Sequence, residues 1–123
     1  MYKVLLVEDD PLMSKMYQRV FAFEQLDIHV AGNGQAGLEL LKTFHPDIIL
    51  MDVMMPMMNG VEMLTAVKAD PATKDIPVIM LTNLSDLKTA DEAVAKGALK
   101  YIVKSKYDPD KVAAMLKEIL DNK

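Results

Sequence analysis

Short runs of Val, Ile, Leu and Met alternate along the chain with longer stretches in which apolar residues recur at helical spacing. The apolar runs are 4–7, 28–31, 48–51, 78–81 and 99–103; the helical stretches are 12–23, 36–44, 61–67, 86–95 and 112–120. Five strand-then-helix alternations predict a parallel sheet with helices on both faces. The last helix has the clearest stripe, Val112, Met115, Leu116, Ile119 and Leu120, with Lys111, Lys117, Glu118 and Asp121 off it. Asp108 before Pro109 predicts an N-cap with proline at the first helical position, and Asp10-Pro11 repeats that signature at the first helix. The stretch 86–95 offers only Ala90, Ala93, Val94 and Ala95 to bury, so a weakly docked helix is expected there. His29 interrupts the second run and Lys100 the fifth, which makes those two the sheet edges. With right-handed crossovers the order 2-1-3-4-5 follows.

Composition narrows the class. At 123 residues a single domain, 1–123, buries enough surface to need no disulfide or structural metal. There is no cysteine, which excludes thiol chemistry and a zinc knuckle. No apolar stretch approaches the roughly 20 residues of a membrane span. The net charge of −4 argues against direct nucleic-acid binding. Met1 runs into a strand pattern with no basic-then-apolar leader, so a cytoplasmic location is expected.

In an open α/β sheet, ligands sit beyond the carboxyl ends of the strands where strand order reverses. The residues just past each run are Glu8, Asp9 and Asp10; Asp52; Thr82 and Asn83; and Lys104. Strands one and three are neighbours at about 4.8 Å, so the Asp9 and Asp52 carboxylates crowd one another and call for a positive charge. An all-oxygen, open-mouthed set without His or Cys suits Mg²⁺. Lys104 adds a second cation and Thr82 a hydroxyl. A carboxylate so flanked can attack phosphorus, which makes Asp52 the expected nucleophile and an aspartyl phosphate the product.

The segments Val4-Leu5-Leu6-Val7-Glu8-Asp9-Asp10-Pro11, Asp47 through Pro56, Asn59-Gly60, Ile79-Met80-Leu81-Thr82 and Tyr101-Ile102-Val103-Lys104 resemble the motifs of response-regulator receiver domains of the chemotaxis type, across essentially the whole chain. The resemblance implies a flavodoxin-like three-layer (βα)5 fold. It implies Asp52 as phosphoacceptor, Glu8 and Asp9 with the Met54 backbone carbonyl as Mg²⁺ ligands, Lys104 as the phosphoryl contact, and Thr82 with Tyr101 as the switch pair. The implied donor is a phosphohistidine on a sensor histidine kinase or phosphotransfer protein. Output is implied through the fourth helix, fifth strand and fifth helix to a downstream effector protein or effector domain. Such a chain is a phosphoacceptor and not an enzyme acting on a separate substrate.

Three positions depart from that pattern. Ser105 stands where the family usually has a proline after a cis bond; a cis bond before a non-proline residue costs about 2.5–4 kcal/mol, so either the loop is trans or the fold absorbs strain. Asn83 replaces a small residue beside Thr82. Met54 and Leu84 flank the path of an attacking water and are apolar, so slow self-dephosphorylation is expected. Asp10 is read as a helix cap, not a ligand. No chemistry is assigned to His29 or His45. The loop methionines Met54, Met55, Met57 and Met58 are read as packing in preference to a partner surface.

Other functions on this architecture fare worse. Glu8-Asp9-Asp10 would repel the phosphate of a flavin mononucleotide. A haloacid-dehalogenase-type phosphatase needs a second acid where Met54 stands. A phosphorylation-independent interaction module of the same fold is the remaining alternative.

Overall fold

The computed structural model describes residues 1–122. Five parallel strands, β1 (Lys3–Val7), β2 (Asp27–Ala31), β3 (Ile48–Asp52), β4 (Val78–Thr82) and β5 (Lys100–Val103), alternate with α1 (Pro11–Phe23), α2 (Gly34–Leu40), α3 (Gly60–Ala69), α4 (Leu87–Ala95) and α5 (Pro109–Asp121). The sheet order is β2-β1-β3-β4-β5, as the apolar pattern predicts. Every residue of β3 and β4 is buried, whereas β2 and β5 carry exposed positions, His29 and Lys100 among them. Continuous apolarity marks strands covered on both faces, and interruption marks the edges.

Successive side chains of a strand point to opposite faces, so the sheet divides two cores. Val4, Leu6, Ile48, Leu50, Ile79 and Leu81 face α1 and α5, and pack on Tyr17, Phe21, Val112, Leu116 and Leu120. Leu5, Val7, Ile49, Met51, Val78 and Met80 face α2, α3 and α4. On that side the residues α4 buries are Ala90 and Ala93, the small side chains the sequence offers there.

Several boundaries differ from the sequence pattern. The second helix starts two residues before the expected Ala36, because the Asn33 side chain caps it by accepting from Ala36 N at 2.8 Å. It ends at Leu40, well short of Phe44. Beyond it the hydrogen bonds tighten to the i−3 pattern, Lys42 N to Glu39 O and Thr43 N to Leu40 O; Phe44 N still donates to Leu40 O at 2.9 Å, and its ring stacks on His29 with centroids 4.0 Å apart. Leu99 lies just outside β5 and is exposed. Asp108 occupies the N-cap of α5 without the expected side-chain bond, whereas Asp10 does cap α1, accepting from Leu12 N at 2.9 Å. The peptide after Lys104 is trans, since there is no cis bond among the described residues, and the turn Lys104–Lys106 is a single 3₁₀ turn.

Candidate functional site

The strand register brings the site together. Val7 pairs with Met51, Asp52 with Leu81, and Thr82 with Val103, so the residues at or just past the ends of β1, β3, β4 and β5 share one rim. Glu8 is held there by its own backbone, Glu8 N donating to Ala31 O at 3.0 Å at the end of β2. Its side chain turns inward and is buried, Asp52 is buried beside it, and Asp9 stands exposed at the mouth. One carboxylate oxygen from each of Glu8, Asp9 and Asp52 lies within 4.8 Å of the others.

Lys104 spans the sheet to reach this group. Its ammonium donates to Asp52 Oδ2 at 2.7 Å and to Glu8 Oε1 at 2.9 Å, with little of the side chain left exposed. The trans peptide before Ser105 is therefore compatible with full reach of the lysine. Burial raises the Glu8 pKa above the ordinary carboxylate value; the neighbouring Asp52 carboxyl pushes the same way, and Lys104 offsets only part. Burial opposes the Lys104 ammonium, but its bonds to Asp52 and Glu8 outweigh that, and its pKa lies above the usual lysine value.

Thr82 is fully buried, and its hydroxyl donates to Asn83 O at 3.0 Å. Tyr101 lies opposite Met80 on β5, half-buried against the core on the α4 side. Asn83 is exposed, with no side-chain capping bond to the 3₁₀ turn Leu84–Asp86 that it precedes. Met54 and Leu84 are 48% and 56% exposed. The methionine loop is divided: Met55 and Met58 pack against the core, as expected of all four, while Met54 and the 77% exposed Met57 do not. Met57 has φ +69°, a left-handed backbone conformation within the loop after β3.

The sequence pattern gave little warning of how much depends on Gly60. Gly60 N donates to Val53 O at 2.8 Å, and a Cβ there would stand 2.5 Å from Asp52 O and 2.9 Å from Val53 Cα. Only glycine lets α3 start this close behind the carboxylate. Asn59 and Glu62 fix that start with a reciprocal capping box. The signal was the Asn59-Gly60 pair followed by an acid at the third helical position.

A doubly wound sheet carrying an acidic group and a bridging lysine at its switch point is a receiver architecture. Residues 4–117 match the family model for the response regulator receiver domain, and the chain belongs to that family. It is a receiver domain of the two-component response regulators. Among curated proteins it is 39% identical to the protein-glutamate methylesterase/protein-glutamine glutaminase 1 of Methanosarcina mazei, over 98% of this chain and 34% of that protein. It is 32% identical to the regulatory protein AtoC of Escherichia coli, over 96% and 25% respectively. It is 30% identical to the DNA-binding response regulator MtrA of Mycolicibacterium smegmatis, over 94% and 49%. The chain thus spans between a quarter and a half of these relatives. Among solved structures, the chemotaxis response regulator CheY4 of Vibrio cholerae superposes with TM-score 0.87 at 28% identity, covering 97% of this chain and 98% of that one. A receiver domain of a signal transduction histidine kinase from Syntrophus aciditrophicus gives TM-score 0.89 at 29% identity, covering 99% and 92%. No helix among the described residues is long and apolar enough to cross a membrane.

Proposed function

We propose that this chain, 1–123, is one receiver unit that accepts a phosphoryl group on Asp52 from the phosphohistidine of a sensor kinase or phosphotransfer protein in the cytoplasm. The observation that carries this reading is Lys104 bridging Asp52 and Glu8 from the far strand of the sheet. Because the ammonium engages Oδ2, Oδ1 is the oxygen that attacks. The P–O bond to Asp52 forms as the P–N bond to the donor imidazole breaks, and the imidazole takes a proton as it leaves. Lys104 then faces the new phosphoryl oxygens and offsets their charge.

Mg²⁺ fits the residues present. Three carboxylates against one ammonium leave two negative charges in a largely buried cluster, and every side-chain donor is oxygen. Glu8 and Asp9, with Asp52 and the Met54 carbonyl, are the residues to hold it, and the bound ion supplies charge neutralisation at the phosphoryl oxygens.

The same chemistry supports a switch. Thr82 now spends its hydroxyl on Asn83 O. A phosphoryl group beside it offers a charged acceptor, which favours a conformer in which Thr82 turns to it. The vacated space suits the half-buried Tyr101 ring, and α4, held by two alanines, is the element free to follow. The resulting change falls on α4, β5 and α5, where an effector protein or domain reads it. Self-dephosphorylation is slow, because the exposed Met54 and Leu84 offer water no hydrogen bond at the mouth.

Intact mass after incubation with acetyl phosphate and Mg²⁺ tests the acceptor. A single phosphoryl adduct on the wild type and none on Asp52→Asn is expected. An adduct on both, or on neither, overturns the reading, and a phosphoryl lifetime of seconds overturns the slow hydrolysis.

A further inference from the structure

The methionines of the loop after β3 differ sharply in access. Met54 and Met57 are exposed, while Met51 just before the loop and Met63 and Met80 behind it are fully buried. Thioether oxidation follows exposure, and at Met54 it costs little packing because the side chain already faces solvent. Met54 also lines one side of an open groove between α3 and α4, and Thr89, Glu92 and Lys96 of the α4 segment line the other. Lys96 is committed there only to Glu92, one turn away at 3.3 Å, with both side chains about half exposed. Such a pair is weak and readily exchanged.

We propose that Met54 is a peroxide-sensitive modification site whose sulfoxide ties the β3–α3 loop to α4. The Met54 sulfur attacks one oxygen of hydrogen peroxide. The O–O bond breaks as the S–O bond forms, the sulfur loses two electrons, and the departing hydroxide takes the proton of the new S–OH group, leaving the sulfoxide and one water. A thioether is a poor acceptor; the sulfoxide oxygen is a strong one, and the Thr89 hydroxyl and Lys96 ammonium are the donors across the groove. Because α4 is anchored on its inner side by only Ala90 and Ala93, one added bond on its flank changes its docking measurably. The proposal does not rest on phosphorylation of Asp52, and its readouts need none.

The test is graded peroxide treatment of the full chain followed by peptide mass mapping and hydrogen exchange. Met54 and Met57 are expected to oxidise at least about ten-fold faster than Met51, Met63 and Met80. Exchange across residues 90–95 is expected to slow about five-fold in the oxidised protein, the effect of one added hydrogen bond, and to recover after treatment with methionine sulfoxide reductases of both epimer specificities. Each variant is compared with its own untreated form: Met57→Leu keeps the response and Met54→Leu loses it. Oxidation of Met54 no faster than of the buried methionines overturns the proposal. So does α4 exchange that is unchanged or faster after oxidation, or a Met54→Leu protein that still responds.

Discussion

On the face of the sheet covered by α1 and α5, the buried set includes Tyr17, Phe21, Leu116 and Leu120, and Tyr17 meets Phe21 edge-on with ring centroids 5.6 Å apart. On the other face α4 contributes Ala90 and Ala93 and nothing larger. Burying a large apolar side chain is worth about 1.5–3 kcal/mol, and one methyl group about 0.8. The first layer is therefore fixed at the cost of unfolding the domain, while α4 is held by an energy that a single charged group at the rim can rival. Between them stand Asp52 on a fully buried strand and Lys104 at the root of the α5 connection. The proposed switch uses both, a rigid floor under Asp52 and a lightly packed flank beside it.

The largest break in this comparison comes from the fixed layer. Phe21→Ala should lower the unfolding free energy by about 3–5 kcal/mol, read by urea denaturation. Ala93→Gly should cost only about 2 kcal/mol, the loss of helix propensity and one buried methyl. Equal losses from the two would mean that α4 is anchored as firmly as α1, and the contrast would fail.

Next in size is the site itself. Lys104→Met leaves the buried Glu8 and Asp52 carboxylates without their cation and should cost about 3 kcal/mol in metal-free buffer, with part recovered on adding Mg²⁺. A variant as stable as the wild type would show that the bridge is not a buried pair. Glu8 adds a pH signature. Its folded pKa lies above the unfolded value, so folding takes up a proton. The contribution is full below the ordinary glutamate pKa and is lost as pH rises through the raised value. Glu8→Gln should flatten that decline in metal-free stability curves; an unchanged slope would assign it to other groups.

A smaller effect is local. Amides of α4 should exchange at least about ten-fold faster than those of α1 and α5 in the native state, because opening α4 exposes so little apolar surface. Matching protection across the three helices would contradict the assignment of α4 as the movable element.

The contrast was readable in the chain before any coordinates, because it is written in side-chain size. Ala90, Ala93, Val94 and Ala95 against Val112, Met115, Leu116, Ile119 and Leu120 announce a light helix and a heavy one. The strands were equally legible, since fully buried parallel strands must be continuously apolar. Proximity at the rim followed from topology alone. What topology does not carry is the partner of each polar atom. Nothing in the spacing says that Lys104 divides its ammonium between Asp52 and Glu8, or that Glu8 turns in while Asp9 turns out, because those depend on rotamers and local backbone. The end of α2 was missed for a similar reason. Phe44 keeps helical spacing with Leu40 and Leu41, but the backbone tightens to i−3 bonds at Lys42 and Thr43, and the ring stacks on His29.

The least costly prediction concerns two identical signals. Asp-Pro opens both α1 and α5, yet Asp10 Oδ1 accepts from Leu12 N at 2.9 Å while the Asp108 side chain makes no capping bond. Satisfying one free N–H of a first helical turn is worth about 1 kcal/mol, whereas charge near a helix N-terminus without that bond is worth a few tenths when exposed. Asp10→Ala should therefore destabilise by about 1 kcal/mol and Asp108→Ala by less than half of that. The difference sharpens the contrast within the fixed layer, because Asp10 directly follows the acidic pair and its backbone N–H donates to Glu8 Oε2 at 3.4 Å while its side chain caps α1. Loss of the Asp10 cap should accordingly weaken Mg²⁺ binding in a titration, and loss of Asp108 should not. Equal costs in stability and no change in Mg²⁺ affinity would reduce Asp10 to an ordinary helix start.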